Sequence, residues 1–178
     1  MATQAQVDEL LSKMQEERGA LLALVRALDE GRAEERPPEG DGEAGWSAKE
    51  QLAHMASMEA SYRTWVLRAV QEERPDLTGT ESRDPARIDA QRAHDASVAE
   101  HVDELLRQRG LTLTYLQTLP LDAYDRMSVS PIFGELSVLQ WLRSYYRHDR
   151  MHAAQIARGK SDYAPRFLAG EPDQRRRS

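Results

Sequence analysis

The 178-residue chain contains no cysteine. That absence excludes a disulfide framework, a cysteine-ligated zinc site, an iron–sulfur cluster and a thiol nucleophile. Any metal would have to be held by nitrogen and oxygen donors. A cysteine-free chain fits a reducing compartment, and the cytoplasm is the expected location. Long apolar runs are missing too: no stretch approaches the roughly eighteen residues that would suggest a membrane span. The opening MATQAQVDELLSKM has neither the basic start nor the apolar run of a signal peptide. Positive charge is in deficit, with 24 Lys and Arg against 30 Asp and Glu, for a formal charge of −6. Such a chain offers no electrostatic footprint for nucleic acid. Lysine is scarce, confined to Lys13, Lys49 and Lys160, so almost every cation is an arginine. Arg175, Arg176 and Arg177 cluster near the chain end, where a solvated tail is the expected reading.

What the sequence does have is helical periodicity, in a length suited to one domain. From about Val7 to Leu28, Leu10, Leu11, Met14, Leu21, Leu22 and Val25 recur at three- and four-residue steps. A loop rich in proline and glycine follows, from Gly31 to Gly45. Ser47 and Glu50 then form a capping box, in which each side chain satisfies a backbone N–H that lacks a helical partner. The second helix starts there, carries the stripe Leu52, Met55, Tyr62, Val66 and Ala69, and ends before Pro75. A polar connection runs to about Ile88. The third helix is expected from Ile88 to Leu119, weakened at Gly110 and stopped by Pro120. RMSVSPIFGEL reads as irregular, with room for a short extended piece. Ser137 and Gln140 form a second capping box, which opens a fourth helix that runs to about Arg158, with Gly159 as its C-terminal stop.

Four amphipathic helices and no strong strand pattern predict an all-α four-helix bundle over residues 1–160, with a tail over 161–178. The long connection between the second and third helices predicts a crossover rather than simple up-down-up-down topology. A Gly-Lys-Ser at 159–161 is not a phosphate-binding loop, since it follows a helix and lacks the earlier glycine.

The chemistry-bearing candidates are histidines. His148 and His152 are four apart on the fourth helix, which separates them by about 40° in azimuth and about 6 Å along the axis. They can face one metal ion, but surface pairs at this spacing are common. A zincin motif would need Glu after the first His, and Asp149 is there instead. The pair does lie on the inner stripe Val138, Leu142, Tyr145, His148, His152, Ile156, where unbonded imidazoles are costly. His54, beside the apolar stripe of the second helix, is available as a third ligand or as a half-exposed edge residue. Three ligands with an open position is the catalytic pattern of zinc sites. His94 and His101 lie among Asp95, Glu100, Asp103 and Glu104 and read as a solvated acidic face.

GWSAKEQLAHMASMEASY resembles the second-helix segment of the DinB-like (DinB/YfiT) metalloenzyme superfamily, and SPIFGELSVLQWLRSYYRHDRMHAAQI resembles its last-helix segment. The order of one histidine in the second helix and a pair in the fourth also agrees. The resemblance implies a four-helix bundle with a crossover, often a homodimer. It implies a divalent metal, commonly nickel or zinc, on His54, His148 and His152. Members include hydrolases and transferases that use low-molecular-weight thiols. Iron or manganese would also suit histidine ligands.

A metal there would act as a Lewis acid on a bound water or receive a thiolate cosubstrate. Glu59, Asp149, Tyr145 and Gln155 are candidates for orienting the imidazoles, with Glu50 more suited to capping. Glu59 has two readings, as such a group or as the partner of an arginine. Tyr62, Tyr146, Trp65 and Trp141 read as core or pocket lining. Two functions are expected as alternatives: a metal-dependent hydrolase or thiol transferase acting on a small molecule, or a non-catalytic binding bundle with a vestigial or regulatory metal site.

Overall fold

The computed structural model describes residues 1–40, 42–77, 89–130 and 134–159. The expected tail over 161–178, with its arginine cluster, therefore lies outside the described residues, as does Lys160. Four long helices make the bundle: α1 (Gln4–Arg26), α3 (Ala48–Gln71), α5 (Val98–Leu116) and α6 (Val138–Ile156). Two short helices, α2 (Glu30–Glu34) and α4 (Ala90–Asp95), lie in the connections. Each long helix opens on a capping box: Thr3 with Gln6, Ser47 with Glu50, Ser97 with Glu100, and Ser137 with Gln140. Among the described residues no helix is long and apolar enough to cross a membrane.

Two expectations need correction. The third helix is not continuous: the Ser97–Glu100 box begins α5 afresh after α4 ends at Asp95. Gly110 lies inside α5, which runs through it unbroken. RMSVSPIFGEL contains a hairpin, β1 (Met127–Ser130) antiparallel to β2 (Gly134–Ser137), with Met127 opposite Ser137. Trp141 Nε1 donates to Ser128 Oγ at 2.7 Å and fastens the hairpin to α6.

Contacts between the helices give their directions. Glu59 meets Arg109, and Arg63 meets Thr112 further along both helices, so α3 runs parallel to α5. Glu9 acts on Arg143, and Glu17 meets Arg150 further along both helices, so α1 runs parallel to α6. Gln51 meets His152, and Tyr62 meets Tyr145, so α3 opposes α6. Adjacent parallel helices cannot be joined by a tight turn, so the chain crosses over between Gln71 and Val98 as expected, with residues 78–88 outside the described ones.

The core has two apolar layers with a charged layer between them. One layer holds Met14, Tyr62, Trp65, Leu116, Trp141 and Tyr145. The other holds Leu21, Val25, Leu52, Met55, Val102 and Leu105. Between them sit Arg18, Glu59, Arg109 and Asp149, one from each long helix, exposed by only 4 %, 3 %, 5 % and 1 %. Arg18 Nη2 donates to Glu59 Oε2 at 2.6 Å and to Asp149 Oδ1 at 2.8 Å. Arg109 donates from Nε to Glu59 Oε1 at 2.6 Å and from Nη2 to Asp149 Oδ2 at 2.8 Å. The two guanidiniums also reach the Leu105 and Met14 carbonyls on neighbouring helices. Burial alone would push the Asp149 carboxyl up, but Arg109 and Arg18 together hold it below its usual value.

Candidate metal centre

The histidine cluster lies at the edge of the second apolar layer, where α3 opposes α6. The Ser47 cap fixes where α3 begins, and one further turn carries Gln51 and His54 round to α6. The helical step on α6 presents His148 and His152 to them. His54 Nε2 lies 3.3 Å from His148 Nε2, which lies 3.0 Å from His152 Nε2. His152 is fully buried, and His54 is 8 % exposed rather than a half-exposed edge residue. The structure thus brings all three candidate ligands together through the same ring nitrogen.

These contacts cannot all be ordinary hydrogen bonds. Gln51 Nε2 donates to the Trp46 carbonyl at 3.2 Å, which turns its Oε1 toward His152 Nδ1 at 2.9 Å. Because that oxygen only accepts, His152 carries its proton on Nδ1 and leaves Nε2 as a bare lone pair. His148 Nε2 holds at most one proton for its two neighbours when neutral. At least one pair of lone pairs therefore converges without a proton, unless a cation takes them all. Nitrogens at 2.0–2.1 Å from a tetrahedral zinc stand about 3.3 Å apart, close to the spacings observed.

Electrostatics point the same way. Burial, then the neighbouring His148, lowers the His54 pKa to about 3. Burial lowers that of His148 to about 4, against the pull of Asp149. His152 falls well below its usual value through burial and its two histidine neighbours. All three imidazoles are neutral at pH 7, the protonation state in which they bind metal.

The other candidates take different places. Glu59 is the partner of arginines, in the middle of the bundle rather than at its edge. Asp149 also spends its oxygens on Arg18 and Arg109, so neither carboxylate hydrogen-bonds an imidazole. The Tyr145 ring packs on Tyr62, 5.2 Å between centroids, and its buried hydroxyl has no hydrogen-bond partner. Gln155 stays beside the site: its Oε1 is buried without a hydrogen bond of ordinary geometry, yet its side chain interacts with His152 and favours the protonated ring. Glu50 serves its capping box and pairs with Arg36. Trp65 and Trp141 are core. His101 corrects the expectation of a solvated acidic face: it is 8 % exposed, with Nε2 2.8 Å from the Ala93 carbonyl. His94 is partly buried and lies 3.8 Å from Glu50.

Two residues join the site unannounced. Gln51 sits three positions before His54 on the same helix face, and that spacing is the signal that could have identified it. Glu43, on the 3₁₀ turn Gly42–Gly45, forms a cluster with the three histidines, with ligand atoms all within 4.8 Å of one another. A glycine-rich loop has no periodicity that could place its side chain beforehand.

The fold and this cluster define a helical bundle with a side-chain set that could hold a metal ion. The chain belongs to the DinB superfamily, whose family model matches residues 13–156. YfiT from Bacillus subtilis, described as a probable metal-dependent hydrolase with an unusual four-helix bundle topology, is structurally similar. The TM-score is 0.74 at 18 % identity, over 89 % of this chain and 87 % of that one. No curated protein matches the chain.

Proposed function

We propose that the protein is a metal-dependent hydrolase of a small molecule, with His54, His148 and His152 holding a divalent ion, zinc or nickel foremost. The observation that carries the reading is the meeting of three neutral imidazole nitrogens at 3.0 and 3.3 Å, with the proton of His152 fixed on the far side by Gln51. Such an ion would supply Lewis acidity to a substrate that joins its coordination shell. The chain's own part is to hold and orient. Gln51 sets the tautomer of His152, and Trp46 holds the Gln51 amide. Trp46 and Tyr62 stand edge-on to His54 and His148, at 5.2 and 5.9 Å, and restrict their rotation. The description of YfiT as a probable metal-dependent hydrolase supports hydrolysis over the thiol-transfer alternative.

Elemental analysis of the native protein beside His54→Ala, His148→Ala and His152→Ala tests the metal. One equivalent in the native protein and loss in each variant is expected; absence of zinc, nickel, iron and manganese from the native protein would sink the reading. Ester and amide panels, with and without small thiols, then separate hydrolysis from thiol transfer. Gln51→Ala is expected to weaken metal affinity by about 10–100-fold, since an orienting partner of a ligating histidine typically contributes that much. Chelator competition measures it, and unchanged affinity would remove Gln51 from the site.

A further inference from the structure

Among the described residues, Glu43 is the cluster's only carboxylate. We propose that it is the fourth protein ligand, completing a three-histidine, one-carboxylate set on the solvent side of the site. This rests on the reading of the histidines as metal ligands. Both oxygens face the imidazoles: Oε1 lies 3.7 Å from His54 Nε2, and Oε2 lies 3.8 Å from His152 Nε2. These separations exceed those between the nitrogens, as suits a carboxylate that spreads two oxygens over one corner of the coordination shell.

Charge supports the assignment. A divalent ion on three neutral imidazoles keeps its full charge in a poorly solvated place, where an anion beside it is strongly favoured. Asp149 is the neighbour of His148 in sequence, but the quartet of two arginines and two acids already uses it. Glu43 is the carboxylate that faces the nitrogens themselves. Its side chain is 27 % exposed, while that of His54 is 10 % and that of His152 is 0 %, so it stands between the histidines and water.

The backbone holds it there. Gly40 and Gly45 approach so closely that a Cβ on either would come within 2.7 Å of the other strand of the turn. Gly42 takes a φ of +57°, the left-handed region that favours glycine. Trp46 follows directly, with its ring on His54 and its carbonyl on Gln51. The turn that presents Glu43 and the contact that orients His152 are thus one short piece of chain. A substrate reaching the ion from solvent would have to add to this set or displace Glu43.

The test uses the full-length protein loaded with cobalt(II) as the probe, in native, Glu43→Gln and Glu43→Ala forms. Visible absorption reports the coordination shell, and chelator competition reports affinity. Both variants are expected to shift the cobalt spectrum and to lose tenfold or more in affinity, while the metal-free forms keep the native helicity and melting temperature. Native spectrum and affinity in both variants would overturn the role of Glu43 and leave the histidine site standing. Failure of the native protein to bind cobalt or zinc at all would instead overturn the metal reading, and this proposal with it.

Discussion

Glu59→Ala is expected to destabilise the metal-free protein by about 3–5 kcal/mol, the usual cost of removing one partner from a buried ion pair. For a chain of this length that lowers the melting temperature by roughly 6–20 °C. The cause is charge left behind rather than attraction lost. With Glu59 gone, Arg18 and Arg109 share Asp149 alone, and the dry layer between the two apolar clusters carries a net positive charge. Arg18→Met should cost a similar amount for the opposite reason, since two carboxylates then share Arg109. The double variant Arg18→Met with Glu59→Ala leaves Arg109 paired with Asp149 and restores neutrality. Its cost is expected to fall well below the sum of the single variants, giving a coupling of about 1–3 kcal/mol in a double-mutant cycle. Urea denaturation measures all three. Additive single effects below about 1 kcal/mol would show that the quartet is solvated and contributes little. Glu59 suits this test because it touches no histidine, whereas Asp149 adjoins His148.

The quartet also bears on topology. Each long helix supplies one member, so exchanging helix neighbours would separate charges that now meet. That bears on a bundle whose sequence-adjacent helices include a parallel pair, α3 and α5, for which apolar stripes alone give weak direction. Polar groups that fix register have this use in other helical assemblies.

Much of this was legible in the chain. Apolar steps and the boxes at Ser47 and Ser137 place two helix starts to the residue, and the long connection predicts the crossover. The boundaries that differ do so where side-chain periodicity continues past a backbone break. Val98, Val102 and Leu105 fall in step with what precedes them, yet the Ser97 hydroxyl and Glu100 carboxylate end one helix and begin another. At the N-terminus the apolar stripe starts at Val7, whereas Thr3 and Gln6 cap the helix earlier. His148 and His152 were legible as a pair because helical spacing converts directly into a shared face, whereas spacing left His54 open and the family resemblance joined it to them. Asp149 and Glu59 were not assignable by the same means: a stripe shows that a carboxylate is buried but not which arginine from another helix answers it. Glu43 lies further out of reach, because its place depends on the path of a glycine turn.

The metal should also act as a stabiliser, and His152→Ala should abolish that effect. A ligand that binds only the folded chain adds RT ln(1 + [L]/Kd), about 4 kcal/mol at a thousandfold excess over Kd. At about 2–4 °C per kcal/mol, saturating zinc or nickel is expected to raise the melting temperature of the stripped native protein by roughly 8–16 °C. His152 is the informative position, since it is fully buried and its proton is held away from the cluster by Gln51. Its removal leaves His54, His148 and Glu43, a set without its most deeply buried nitrogen, and the expected shift at the same metal concentration falls to within measurement error. Each variant is compared with and without metal, so packing lost by truncating a buried ring cancels. His101→Ala is the matched control. That ring is also buried, though at 8 % exposure, and bonds the Ala93 carbonyl, but it takes no part in the cluster. Its variant should melt lower than the native protein while keeping the full metal-dependent rise. A rise that survives His152→Ala would place the stabilising ion elsewhere, and a rise lost equally in His101→Ala would make the effect one of general packing rather than coordination.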